Sequence, residues 1–264
     1  MKKIVTLFFL FCFISISAHE FWLQPDKFIY KKGEKANVRF RAGENFEGEN
    51  WNGNKSKINF LTLYTNTGRS DLAPFISANK GDSLQLILQE EGTAMITYSG
   101  LNSFIELAAD KFSAYLEEDG LREAIEYRQQ HHEADSMGRE LYQRSVKTIL
   151  QVGGKYDSLF KQPSALPLDI IPLKHPQLTP GGQKITFKIL FNKDPLADQL
   201  VKIWYRDNNK TMKEELLTDR DGIISFRLKK SGSWMVSTVK MVRLENDPRA
   251  QWQSYWSSCT WGYE

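Results

Sequence analysis

Apolar residues in this chain recur at every second position, in short runs bounded by glycine, asparagine and acidic residues. A strand with one buried face has that period. In "EKANVRFRAG" (34–43), Ala36, Val38 and Phe40 alternate with polar neighbours, and Leu84, Leu86 and Leu88 do the same in "SLQLILQ" (83–89). "INFLTLYT" (58–65) and "TAMITYS" (93–99) are rich in the aromatic and branched residues that strands favour. Gly33, Gly43 and Gly81 fall where turns are needed. The pattern returns after residue 182. Ile185, Phe187 and Ile189 share one side of "QKITFKILF" (183–191), and Val201, Ile203 and Tyr205 share one side of "LVKIWYRD" (200–207). "LLTDRDGIISFRL" (216–228), "GSWMVSTVKMVRL" (232–244) and "WQSYWSSCTWG" (252–262) continue it. The fold class expected is mainly β, with two Ig-like β-sandwich portions.

The middle of the chain has a different character. "DKFSAYLEEDG" places Phe112, Tyr115 and Leu116 on one helical face, with Gly120 past its end, and Leu121, Ala124, Ile125 and Arg128 extend the stripe. Tyr142, Val146, Ile149 and Leu150 predict a further helix, stopped by Gly153-Gly154. "FKQPSALPLDIIPLKHPQLTPGG" (160–182) is a proline-rich crossing held extended. The boundaries expected are a signal peptide over 1–18, an N-terminal β-sandwich portion over 19–107, an α-helical insertion over 108–153, a connector over 154–182 and a C-terminal sandwich over 183–264.

The leader sets the compartment. Met1-Lys2-Lys3 precedes the apolar run "IVTLFFLFCFI" (4–14) and the small residues of "SISA" (15–18). Cleavage after Ala18 makes His19 the first residue of a protein expected in the periplasm or secreted. The apolar run is shorter than the roughly 20 residues of a membrane span, and no later segment approaches that length, so no span is expected in the mature chain. Lys2 and Lys3 leave with the leader, which brings the 35 basic and 32 acidic residues close to balance. That argues against nucleic acid as a partner. Only Cys259 remains after cleavage, so the mature chain forms no internal disulfide and is held by packing.

A processed terminus at His19 has chemical consequences. An α-amine and an imidazole titrate near about 7.7 and 6.5, so both offer lone pairs around neutrality. Together they chelate ions such as Cu(II), Ni(II) or Zn(II) better than Mg(II) or Ca(II). The competing reading is an exposed terminal histidine that binds nothing. His131 stands four before Asp135 in "HHEAD", on one face if a helix continues; a solvated turn is the competing reading. His175 precedes Pro176 in the crossing. "DRDG" (219–222) opens like a calcium loop but lacks its later ligands, and a hairpin turn suits it better. Trp252 and Trp256 share one strand face and Trp261 takes the other, as core or as a ligand groove. There is no G-x-S-x-G elbow, phosphate-binding P-loop or H-E-x-x-H. The chain reads as a binding protein, with no enzymatic activity expected.

"AHEFWLQPDKF" (18–28), "AADKFSAYLEEDGL" (108–121), "RELYQRSVKTILQVG" (139–153), "LPLDIIP" (166–172), "LLTDRDG" (216–222) and "GSWMVSTVKM" (232–241) occur in this order. Together they resemble an exported bacterial family of unknown function, a DUF formerly grouped with NikM-type nickel-uptake components. The resemblance covers nearly the whole mature chain. It implies an Ig-like or transthyretin-like periplasmic protein, a transition metal ion (Ni, Co, Cu or Zn) as cofactor, and a membrane metal-uptake system as partner. His19 and Glu20 map onto the family's opening pair. Where the family pattern carries His-Met on the late strand, this chain has Lys240-Met241, and a protonated lysine is a poor ligand. The metal candidates are His19, Glu20, His131, His175 and Met241. Two rivals stand beside this reading. One is an envelope interaction module binding a protein or glycan without metal. The other is a copper-dependent oxidative enzyme, which needs a second inward histidine.

Overall fold

The computed structural model describes residues 20–51, 55–78 and 80–263. The leader and His19 lie outside the described residues. The N-terminal part forms β1 (Glu20–Pro25), β2 (Ile29–Tyr30), β3 (Glu34–Glu44), β4 (Glu47–Asn50), β5 (Ile58–Thr65), β6 (Gly68–Asp71), β7 (Ser83–Leu88), β8 (Gly92–Gly100) and β9 (Ser103–Leu107). Helices α1 (Ala109–Glu118) and α2 (Arg122–Gln130) follow, then β10 (Gly138–Val152) and β11 (Leu168–Pro172). The C-terminal part adds β12 (Lys184–Phe191), β13 (Asp194–Pro195), β14 (Leu200–Asp207), β15 (Lys210–Leu217), β16 (Ile223–Arg227), β17 (Ser233–Arg243) and β18 (Trp252–Gly262).

The fold is mainly β, packed as sandwiches that share a middle layer. A ten-stranded sheet runs β15-β14-β17-β18-β10-β8-β5-β6, with β2 and β9 also paired to β10. It draws strands from both halves of the chain. The join is the parallel pairing of β10 with β18, from Glu140↔Trp252 to Thr148↔Thr260. An outer sheet of β1, β3, β4 and β7 covers one face, and a second of β11, β12, β13 and β16 covers the other. Alternation on β10 feeds both interfaces. Val146, Leu150 and Val152 enter a core with Phe40 and Leu84, whereas Ile149 enters a core with Ile170 and Phe187.

This arrangement corrects the helix expected around 139–150, which is β10. A strand covered on both faces loses its polar–apolar alternation. Tyr142, Val146, Ile149 and Leu150 therefore fall at helical spacing without forming a helix. The α-helices end at Gln130. They pack Phe112, Tyr115, Leu116 and Ala124 against Val239, Met241 and Trp252. Gly120 links them at φ 62°, and a Cβ there would stand 2.8 Å from the Leu200 side chain. The proline-rich crossing contains β11, whose residues are all buried. "DRDG" is a turn, but one that carries the chain from the central sheet to an outer sheet rather than within a hairpin. The Asp219 carboxylate accepts the N–H groups of Asp221 and Ile223, each at 2.9 Å.

Between the central and second outer sheets lies an ion pair, Lys147 Nζ to Asp169 Oδ1 at 2.5 Å, with the two side chains 0% and 4% exposed. The other carboxylate oxygen accepts the Ser164 N–H at 2.7 Å. Removing one partner strands a buried charge, which costs about 3–5 kcal/mol. Lys147→Met is expected to lose about that much unfolding free energy in urea titrations. The double variant Lys147→Met/Asp169→Leu should recover most of it. A single variant as stable as the parent contradicts the pair's role.

Candidate functional site

The first described residue opens the site. Period two puts Glu20 and Trp22 on one face of β1. Trp22 packs against Trp204 and Met235 of the central sheet, and the Ser258 hydroxyl donates to the Phe21 carbonyl at 2.7 Å. These contacts carry Glu20 to a cleft it shares with Asp119, Lys202, Ser237, Trp256 and Ser258. Lys202 and Ser237 are cross-strand neighbours, as are Ser237 and Ser258, so one row of the central sheet forms the floor. Asp119, immediately after α1, closes the side. The free space is about 10 Å³, enough for one water-sized particle.

The charges are unbalanced. Glu20, Asp119 and Lys202 are all buried. Lys202 Nζ lies 2.7 Å from Asp119 Oδ1. Burial pushes the ammonium pKa down, but Asp119, with a smaller contribution from Glu20, outweighs it and keeps Lys202 charged. Burial raises Asp119, and Lys202 pulls it part of the way back. Glu20 is pushed up to about 7, chiefly by burial, with Lys202 lowering and Asp119 raising it. One ammonium thus serves two carboxyls, and Asp119 holds it.

A third carboxyl stands beside this pair. Glu140 of β10 is 2% exposed. Burial pushes it up to about 7, while Ser254 and Tyr115 draw it down by hydrogen bonding and Asp119 adds to the rise. Its Oε1 accepts from Ser254 Oγ and from the Tyr115 hydroxyl at 3.3 Å, and Oε2 is buried without a partner among the described residues. Tyr115 stacks on Trp256 at 5.8 Å, and the Trp256 indole donates to Ser254 Oγ at 3.0 Å. The cleft thus combines two carboxyls, one ammonium and several hydroxyls, with Glu140 outside its lining.

The described metal candidates lie in separate surroundings. Glu20 is in the cleft. His131 follows α2, exposed, its ring stacked 3.9 Å from Tyr127 and its Nδ1 2.8 Å from the Tyr127 carbonyl. The helix ends before it, so His131 and Asp135 do not share a helical face. His175 is buried against Phe160 at 4.8 Å and Tyr156 at 5.4 Å, with neither ring nitrogen partnered among the described residues. Burial lowers its pKa. Phe160 belongs to the core on the other side of the central sheet from β1. Met241 is buried against the helices. Lys240 Nζ pairs with Glu123 Oε2 at 2.5 Å. No group of three or more His, Cys, Asp or Glu positioned for a metal occurs among the described residues. Reading the sequence missed Asp119, Glu140 and Lys202. "LEEDG" and "RELY" carry no chemical spacing that marks their acids for burial.

No curated protein is significantly similar in sequence. A DUF4785 family protein from Legionella pneumophila aligns at 9% identity over 81% of this chain and 51% of that one, with a TM-score of 0.25. Escherichia coli alpha-2-macroglobulin activated by porcine elastase aligns at 10% identity over 93% and 20%, with a TM-score of 0.23. A tetra-tandem repeat from the extending region of a large adhesion protein aligns at 11% over 93% and 50%, with a TM-score of 0.22. This chain therefore spans about half or less of each. The family model for Domain of unknown function (DUF4198) matches residues 16–241, and the chain belongs to that family.

Proposed function

We propose an exported protein, periplasmic or secreted, that binds a transition-metal ion at the start of its processed chain and serves a membrane metal-uptake system. The observation that carries this is Glu20, a buried carboxyl beside a one-particle space whose ammonium neighbour is engaged by Asp119. It directly follows the residue whose amine and imidazole are the expected nitrogen donors. The described residues alone are carboxylates and hydroxyls with a lysine among them, a poor transition-metal set. With His19 the donors become two nitrogens and one carboxylate, which suits Ni(II), Cu(II) or Zn(II). A bound ion supplies reversible coordination, without covalent change. Glu20 must release its proton to coordinate, and Lys202 neutralises Asp119 so that only one free carboxylate faces the ion.

A second reading, an envelope interaction module, draws on β15. It is the edge of the central sheet, with Met212 56% and Leu217 51% exposed. Lys213, Glu214 and Glu215 guard that edge with charge, a common protection against strand addition. Co-purification with an envelope component that survives chelators favours this reading over the metal.

Isothermal titration of the processed protein with Ni(II), Cu(II) and Zn(II) tests the first reading. At least one ion is expected to bind at one equivalent. His19→Ala, or one extra residue ahead of His19, should weaken it by about tenfold or more. Affinity unchanged by both variants removes the anchor.

The carboxyls predict an unusual pH profile. Glu20 and Glu140 titrate near 7 in the fold against an ordinary 4.5. The folded state therefore binds more protons between these values, and stability falls as pH rises from about 4.5 through 7. Glu140→Gln should reduce the stability lost between pH 5 and 8 by up to about 3 kcal/mol, read from urea unfolding at each pH. An identical pH slope in parent and variant contradicts the assignment. Metal affinity should fall from pH 8 to pH 6 as Glu20 and the nitrogen donors take up protons.

A further inference from the structure

A second cleft lies on the same side of the central sheet, and its chemistry is opposite. Arg144 of β10 is half-buried. Its guanidinium carbon stands 4.6 Å from the Phe21 ring centre, 5.7 Å from Tyr142 and 5.9 Å from Trp51. Its guanidinium makes no ion pair or hydrogen bond among the described residues. Burial pushes its pKa below the usual guanidinium range, and the titratable groups that act on it are the phenols of Tyr142 and Tyr98, with no carboxylate. A guanidinium inside a protein is ordinarily paired with an acid. Cation–π contacts offset part of its lost hydration, and its N–H donors, none of them both buried and unpartnered, stay open to solvent and to a ligand.

The surroundings supply more donors. Trp51, Lys57, Tyr98, Ser103, Tyr142 and Arg144 line a cleft with about 20 Å³ of free space. Its described lining residues include two basic and three hydroxyl-bearing residues and no acid. The carbonyl of Gly100, which also lines it, already accepts from Gln143 Nε2 at 2.9 Å. The rings of Trp51 and Tyr98 meet edge to face at 6.1 Å and form an apolar wall beside the charge. Phe21, whose ring Arg144 contacts, lines the carboxyl cleft together with Glu20. Arg144 also pairs in register with Trp256, which lines the carboxyl cleft.

We propose that this cleft is an oxyanion-binding site for a small organic carboxylate or phosphate, with Arg144 as the bidentate partner and Lys57 at the rim. The guanidinium fork matches two oxygens of one anion; the free space admits only that headgroup, so an apolar body attached to it lies at the mouth beside the half-buried Trp51. This site needs no metal, so its test stands apart from that of the metal reading.

Titration of processed, metal-free protein with sodium benzoate, sodium acetate and inorganic phosphate at constant ionic strength, followed by tryptophan fluorescence, tests it. Saturable binding of at least one probe is expected. Tighter benzoate than acetate identifies a carboxylate with an apolar body, and tighter phosphate identifies a phosphoryl ligand. Arg144→Lys keeps the charge but loses the fork, and should weaken binding by about tenfold or more. Lys57→Met, at the rim, should weaken it less while leaving the fold intact, which gives a reading even where Arg144 variants do not fold. Absence of saturable binding by all three probes overturns the proposal, as does binding unchanged in Lys57→Met and in any folded Arg144 variant.

Discussion

The parallel pairing of β10 with β18 is the interaction on which the architecture depends. Nine residues of each strand, Glu140–Thr148 and Trp252–Thr260, run side by side. Antiparallel neighbours on either flank then extend the sheet into both halves of the chain. Parallel neighbours require a long crossover, and here the crossover contains β11 and most of the C-terminal strands. The N-terminal strand is tied to the same pair. Ser258 and Thr260 hydroxyls of β18 donate to the Phe21 and Leu23 carbonyls of β1 at 2.7 and 2.8 Å. With Cys259 buried and free, these hydrogen bonds and the cores on both faces hold the described body together.

Two buried Lys–Asp pairs show how burial separates structure from chemistry. Lys147 and Asp169 are sealed between layers, and both carboxylate oxygens are engaged. Lys202 and Asp119 border free space, with a second carboxyl, Glu20, beside them. The first arrangement can only stabilise or fail. In the second, burial pushes Glu20 up to about 7, and it shares with Asp119 the one ammonium of the cleft. Arg144 of β10, set against the Phe21 ring of β1, supplies the opposite imbalance. The carboxyl-rich cleft is built partly from β1, and the cation-rich cleft touches that strand only through the contact of Arg144 with the Phe21 ring.

Strand positions were legible because a half-buried strand writes its period into the sequence. Glu34–Glu44, Ser83–Leu88 and Leu200–Asp207 all coincide with alternating runs, and Trp252 and Trp261 do enter different cores. Two-sided burial erased that signal in β10, where Lys147 and Val146 face opposite layers and each is buried. β1 also escaped notice, since "EFWLQP" is apolar on successive residues rather than alternate ones. Glu20 was legible only through the family resemblance, which maps it with His19 onto the opening pair. Asp119, Glu140 and Lys202 come from a helix end and two distant strands, and only the sheet order brings them together. The surface charges of "LEEDG" hide one buried acid among solvated ones, and no local spacing distinguishes Asp119 from Glu117 or Glu118.

The claim beneath both clefts is that the two halves of the chain form one cooperative body rather than separate sandwiches on a linker. Equilibrium urea unfolding of the processed protein, followed at once by far-ultraviolet circular dichroism and by hydrogen exchange at amides of β3 and β14, tests this most directly. One shared midpoint, with β3 and β14 opening together, is the result the account predicts. A stable intermediate in which one of those strands has exchanged while the other remains protected would contradict it.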